Sequence, residues 1–148
     1  MKILCDTREP WPHPWQEFLP EGWHMERGTL ETGDLAIARL PAGVVIERKT
    51  ASDFCGCIGK ERERFERELK RSRYVGRFIV VIEADLETVC RTSPGLRLSA
   101  IFGSVAAWSV RYCPFIFAGG VGAAAQIAFR AMAAQVRDIE RQHEALKP

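Results

Sequence analysis

The stretch VVIERKTASD, residues 44–53, runs a β-branched segment (Val44, Val45, Ile46) straight into Glu47, Arg48 and Lys49 with no turn residue between. Side chains alternate along a strand, so Glu47 and Lys49 share one face and Arg48 points to the other. A buried strand that ends in an acid and two bases delivers charge to the edge of a sheet. Upstream, Leu35–Leu40 and Val44–Lys49 read as a hairpin closed by Pro41-Ala42-Gly43. With Pro41 and Ala42 as a two-residue loop, Asp34 lies opposite Lys49 and residue 36 opposite Glu47, and Asp34, Glu47 and Lys49 converge. A three-residue loop with Gly43 left-handed shifts the pairing by one unless a bulge restores it, and the spacing leaves both registers open.

The rest of the chain builds around this hairpin. Lys2–Cys5 reads as a strand ending at Asp6. The segment PWPHPW, residues 10–15, is excluded from helix interiors because each proline lacks a donor and restricts its predecessor. Trp15–Leu19 allows one helical turn, and Trp23–Thr29 a strand. Beyond the hairpin, Ser52 or Asp53 is the expected cap of a long charged helix reaching about Arg73. Phe78–Glu83 (FIVVIE) predicts a strand buried on both faces. Leu98–Arg111 is apolar at helical spacing, Phe115–Phe117 is a short strand, and Gly122–Glu140 is an Ala-rich helix. Strands first, then strands alternating with helices, predict one α/β domain over residues 1–148 with a mixed sheet flanked by helices.

Composition narrows the function classes. The chain has 148 residues, 47% hydrophobic and 27% charged, which suits one globular core and excludes disorder. Net charge is +2, so bulk charge alone does not specify a polyanionic partner. No apolar run approaches the ~18 residues of a membrane span, and the N-terminus turns acidic before a signal-peptide core could form. Cys5, Cys55, Cys57, Cys90 and Cys113 are scattered, odd in number and without zinc-ligand spacing, which points to reduced thiols and a cytoplasmic setting. His13, His24 and His143 are isolated and receive no catalytic role. AGGVGAA, residues 118–124, matches neither phosphate-binding glycine pattern and reads as a tight strand-to-helix turn.

Two carboxylates within reach of one point suit a hard cation such as Mg²⁺ or Mn²⁺, which prefers oxygen ligands and needs its charge neutralised. A lysine beside them is a poor ligand but a good stabiliser of charge developing on a phosphate. The alternative is a surface hairpin carrying an ordinary ion pair. Asp6, at the end of the first strand with Arg8 and Glu9 beside it, adds a further acid.

Gly33-Asp34, Glu47-Arg48-Lys49 and Asp53 together resemble the GD…ERKxxxD signature of the XPF nuclease family, a branch of the restriction-endonuclease-like fold. Cys5-Asp6-Thr7-Arg8-Glu9 resembles that family's first-strand motif, SDFCGCIGKERERFEREL its next helix, and SRYVGRFIVVIEA its following strand. AAWSVRYCPFIFAGG is similar to bacterial and phage members consisting of the nuclease domain alone. The resemblance implies a metal-dependent, structure-selective DNA endonuclease acting near branches, flaps or overhangs, with DNA repair or recombination as its setting. It implies that Asp34, Glu47 and Asp6 bind Mg²⁺ or Mn²⁺, that Lys49 positions water, and that Arg48 and Asp53 brace the site. Arg62 falls at a recurrent arginine of the family. Glu66 departs from a common glutamine, and no helix-hairpin-helix module is expected.

Of the basic helix KERERFERELKRSR, residues 60–73, Lys60 and Arg62 are the candidate phosphate contacts, with Arg8 from the first-strand motif. The pairs Glu63/Arg67 and Glu66/Lys70 predict a self-paired solvent face, and Phe65 and Leu69 a buried stripe. In the last helix Val121, Ala125, Ala128, Met132, Val136 and Ile139 form a stripe that either covers the sheet or, beside the Leu98–Arg111 helix, pairs two copies into a homodimer. Rival readings are a non-catalytic DNA-binding or scaffold subunit, and a nuclease acting on RNA or plain duplex ends.

Overall fold

The hairpin's second strand, β4 (Val44–Lys49), lies inside a six-stranded sheet in the computed structural model, which describes residues 1–40 and 42–147. The other strands are β1 (Lys2–Asp6), β2 (His24–Gly28), β3 (Leu35–Ile37), β5 (Arg77–Ile82) and β6 (Phe115–Phe117), in the order β2-β1-β3-β4-β5-β6. The β1–β2, β4–β5 and β5–β6 pairs are parallel, while β1–β3 and β3–β4 are antiparallel. The sheet is therefore mixed, and β1, β2, β4, β5 and β6 all finish at one end of it.

The helices are α1 (Ala51–Ile58), α2 (Arg62–Arg71), α3 (Leu86–Thr92), α4 (Leu98–Arg111) and α5 (Val121–Ala145). They form a layer on each face of the sheet, which explains why β4 and β5 carry continuous apolar runs instead of alternating ones. On one face Val45, Phe78, Val80 and Ile82 pack with Phe54, Phe65, Leu69, Ile101 and Trp108. On the other, Ile3, Leu35, Ile46 and Val81 pack with Trp15 and with Ala124, Ala125, Ala128 and Met132 of α5. The small residues of α5 let the helix lie close to the strands. This architecture is the restriction-endonuclease-like α/β fold.

Several local expectations are corrected. The charged helix is not continuous: α1 stops at Ile58, the Gly59 N–H bonds to the Cys55 carbonyl, and α2 restarts at Arg62. Its cap is Thr50 instead of Ser52 or Asp53; the hydroxyl accepts from the Asp53 N–H at 3.1 Å and donates to Asp53 Oδ2 at 2.7 Å. Helix α3 is additional to the predicted elements; Asp85 caps it by accepting from the Thr88 N–H at 2.6 Å. On α2 the ion pairs are Arg62–Glu66 and Arg64–Glu61 instead of Glu63/Arg67 and Glu66/Lys70.

The hairpin register also differs. Leu35 pairs with Ile46 and Ala36 with Val45, a slip of two from the two-residue-loop register. β3 ends at Ile37 instead of Leu40, and Arg39 takes a positive φ of 62° in the connection. Pro41, part of the expected loop, lies outside the described residues. Because the slip is even, every side chain keeps its predicted face. The middle of the α5 stripe is used inside the chain: Ala125, Ala128 and Met132 are fully buried against the sheet, while Val121 and Ile139 at its two ends stay exposed.

Candidate active site

Gly33 starts the site. Its φ is +78°, and a Cβ there would lie 2.3 Å from Val45 Cγ1 and 3.2 Å from the Ile46 carbonyl oxygen. Only glycine meets both demands, and it lets the chain press onto β4 just before Asp34. The Asp34 N–H then donates to the Ile46 carbonyl at 2.8 Å, and Asp34 Oδ2 accepts from the Arg48 N–H at 2.7 Å. The carboxylate is thereby held beside the end of β4, on the face that carries Glu47 and Lys49.

Glu47 is almost wholly buried. Its Oε1 pairs with Lys49 Nζ, whereas its Oε2 is buried with no hydrogen-bond partner. Lys49 is nearly as enclosed, and its ammonium lies 5.4 Å from the centre of the Phe65 ring. Burial raises the Asp34 pKa to about 7, against the attraction of Lys49 and with further repulsion from Glu9 and Glu68. Burial and the negative charge of Asp34 push Glu47 well above the ordinary carboxyl range. Lys49 is held above its usual value, because the attraction of Glu47 and Asp34 outweighs the burial that would lower it. One ammonium therefore compensates one of two carboxylates, and the other is driven toward its protonated form until a cation takes the proton's place.

On the opposite face, Arg48 ties the carboxyl end of β4 to β5. Its Nε and Nη2 donate to the two oxygens of Glu83 at 2.8 and 2.9 Å, and its Nη1 reaches Glu9 Oε2 at 3.2 Å. Glu83 Oε1 also accepts from the Trp15 indole at 2.6 Å. The Trp15 backbone N–H donates to His13 Nδ1 at 3.1 Å, so the ring proton sits on Nε2 and is given to Glu9 at 3.2 Å. His13, with no catalytic role in the sequence, is thus a structural link. Glu9, Glu83 and Trp15 were unassigned because pairs so distant in sequence leave no local pattern.

A polar cleft of about 270 Å³ opens beside Lys49, lined by Glu9, Arg48, Ser52, Asp53, Lys60 and Arg64 among others. Asp53 belongs to it while closing the first turn of α1. Lys60 reaches it as expected, but Arg62 does not. Arg62 Nη1 donates to Ser104 at 2.7 Å, its Nε pairs with Glu66 at 3.1 Å, and its guanidinium lies over the Trp108 ring at 4.8 Å. The arginine presented to the cleft is Arg64, two residues on.

Asp6 is also committed elsewhere. Its N–H bonds to the Asp34 carbonyl, so the two residues sit opposite each other, but Oδ1 accepts from the Arg8 N–H and Nε, and Oδ2 from the Leu30 N–H at 2.7 Å. Against its burial, these bonds hold the Asp6 carboxyl below its ordinary pKa. Asp6 is a carboxylate already satisfied by the protein, with Arg8 as its partner. Among the described residues no three carboxylate, histidine or cysteine side chains converge as a complete metal cage. What the site offers a cation is a pair, Asp34 and Glu47, with Glu68 buried nearby and adding to their repulsion.

The ERCC4 domain family matches residues 6–127, a span holding every one of these groups. The chain belongs to the ERCC4 domain family. Among solved structures, this ERCC4 domain is similar to XPF from Aeropyrum pernix, with TM-score 0.72 and 19% identity over 91% of this chain and 61% of that one. A structure of XPF from Aeropyrum pernix in complex with DNA matches with TM-score 0.72 and 19% identity, over 93% of this chain and 66% of that one. The chain thus spans less than two thirds of the length of either. No curated protein matches it. The shared architecture agrees with the resemblance read from GD…ERKxxxD. Among the described residues, no helix is long and apolar enough to cross a membrane.

Proposed function

We propose that this ERCC4 domain is a divalent-metal-dependent, structure-selective DNA endonuclease that hydrolyses phosphodiester bonds near branches, flaps or overhangs. The observation that carries the reading is the buried, unpartnered Oε2 of Glu47 beside the Asp34 carboxylate. A buried acceptor without a donor is costly, and a hard dication is the group that would satisfy it and cancel the surplus charge. Asp34 and Glu47 would hold Mg²⁺ or Mn²⁺, with water and phosphate oxygens as the remaining ligands. The bound ion would supply Lewis acidity toward a phosphate oxygen and acidify a water molecule.

Lys49 has a narrower role than a general base, because its raised pKa keeps it an ammonium. It orients water by donating to it and places positive charge where the phosphate gains negative charge. Arg48, through Glu83 and Glu9, fixes the end of β4 so that Glu47 and Lys49 keep their spacing. Asp53, through Thr50, fixes the start of α1 at the cleft. Lys60 and Arg64, which line the cleft, would meet phosphates of a strand entering it, Arg64 by exchanging its ion pair with Glu61 for the phosphate. A domain of net charge +2 gains affinity by pairing, so a homodimer that doubles the phosphate contacts belongs to this reading.

The test is cleavage of labelled flap, fork, duplex and RNA substrates with Mg²⁺ or Mn²⁺, by wild type and by Glu47→Gln and Asp34→Asn. Flap and fork DNA are expected to be nicked by the wild type alone, with binding retained in both variants. Wild-type rates in either variant refute the site. Equal cleavage of RNA moves the substrate class, and binding without cleavage in any metal favours the non-catalytic subunit.

A further inference from the structure

Three of the four tryptophans have structural work. Trp15 and Trp108 are fully buried, and Trp23 packs on Phe129 with ring centres 6.0 Å apart. Trp11 is different: it is 43% exposed, and no strand or helix includes it. Its setting is nevertheless ordered. Pro10 and Pro12 flank it and restrict the backbone on both sides. The Arg27 guanidinium lies 5.9 Å from its ring centre, and the same arginine is anchored by donating to the Thr7 carbonyl.

The position of this ring matters more than its exposure. It lies five residues beyond the end of β1, a strand that finishes at the same sheet end as β4 with its Glu47 and Lys49. Glu9, two residues before Trp11, lines the polar cleft and bonds to Arg48. β1 is separated from β4 by β3 alone, about 10 Å at two strand spacings, and Arg27, against the ring, lies on β2 one spacing further out. An indole with a cation against it, restricted by prolines and linked through Glu9 to a cleft that holds Lys49, Lys60 and Arg64 as well as Asp53 and Glu61, has the parts of a single-strand platform: a π-face for a base and positive charge for its phosphates.

We propose that Trp11 stacks on an unpaired nucleobase of the substrate, with Arg27 holding the ring and meeting the adjoining phosphate, and that this contact supplies preference for branched over fully paired DNA. The proposal rests on the DNA endonuclease reading above. Its logic is selective: a paired base inside a duplex has no face to offer, whereas a base at a flap or fork has one. The platform thus adds affinity only where the strand is open.

The experiment measures binding to a single-stranded oligonucleotide, a flap duplex and a blunt duplex in EDTA, by anisotropy of the labelled DNA and by tryptophan fluorescence. Trp11→Ala is expected to weaken single-strand and flap binding by about tenfold, the loss of one base–aromatic stack, and to leave blunt-duplex binding unchanged. Trp11→Phe is expected to keep its affinity while losing most of the fluorescence quenching seen on wild type. Unchanged melting temperature in both variants excludes a folding effect, as suits an exposed side chain. Wild-type flap affinity in Trp11→Ala, or an equal loss on blunt duplex, overturns the platform alone when the wild type still cleaves DNA with Mg²⁺. A wild type that binds none of the three DNAs overturns both the platform and the nuclease reading.

Discussion

With one ammonium facing two carboxylates, the Asp34–Glu47–Lys49 group retains a proton near neutral pH unless a cation displaces it. The sign follows directly. An acid whose folded pKa lies above its unfolded value binds more protons in the folded state, so stability falls as pH rises. For Asp34 that window runs from the ordinary aspartate range up to about 7. Asp6 and Glu9 act oppositely: hydrogen bonds and ion pairs, outweighing burial, depress both, and the stability they give is lost as pH falls through their folded values. In EDTA the melting temperature is therefore expected to decline between about pH 5 and 7.5, and Asp34→Asn to flatten that decline and melt higher than wild type at pH 7.5. Mg²⁺ is expected to raise the wild-type melting temperature and to leave the Asn variant nearly unmoved. Calorimetry across this range decides it; a wild type indifferent to Mg²⁺ sinks the two-carboxylate site. Gly33→Ala tests the backbone beneath Asp34. With positive φ and a contact of 2.3 Å to Val45 Cγ1, it is expected to cost about 1–3 kcal/mol or more in urea denaturation.

At the level of elements, the fold is legible in the sequence wherever a local rule suffices. Alternation along β4 places Glu47 and Lys49 on one face however the hairpin closes, and an even slip leaves Asp34 on that face too. The limits of β4, α4 and β6 were legible to within a residue because their apolar runs are dense. The break at Gly59 was not, because the surrounding charges favour helix and the stop depends on α1 and α2 packing separately. That break resets the helical frame. Two residues along an α-helix turn the side chain by roughly 200°, enough to exchange Arg62, folded over Trp108, for Arg64, which lines the cleft. Arg64→Ala is expected to weaken DNA binding and its salt dependence, whereas Arg62→Ala should leave binding unaltered and lower stability by about 0.5–1 kcal/mol through the lost cation–π contact. Titrations at two salt concentrations and a thermal melt separate the two arginines; a larger DNA-binding loss in Arg62→Ala reverses the assignment. The Arg48–Glu83–Glu9 network was beyond sequence reading for a different reason: its members join only when β1, β4 and β5 are brought to one sheet end.

At the scale of the whole molecule, the two cores take up the middle of the α5 stripe and the inward face of α4. Met132, Ala125 and Ala128 fill the α5 side, so Met132→Glu would unfold the chain and say nothing about pairing. α4 differs, because its inward residues are Ile101, Ser104 and Trp108 while Leu98 and Phe102 stay exposed, Phe102 at 48%. Exposed large side chains one turn apart on a helix suit a self-complementary contact about a two-fold axis. The proposed homodimer is therefore expected to form through the outer face of α4, without the buried middle of α5. Sedimentation at micromolar concentration should give twice the monomer mass of 16.7 kDa for wild type, and Phe102→Glu should return it to monomer with an unchanged melting temperature. The dimer should also hold a flap substrate more tightly than Phe102→Glu does, since two copies double the phosphate contacts. A wild type that sediments as a monomer with and without flap DNA removes self-association, and DNA grip must then come from a separate partner carrying its own basic surface.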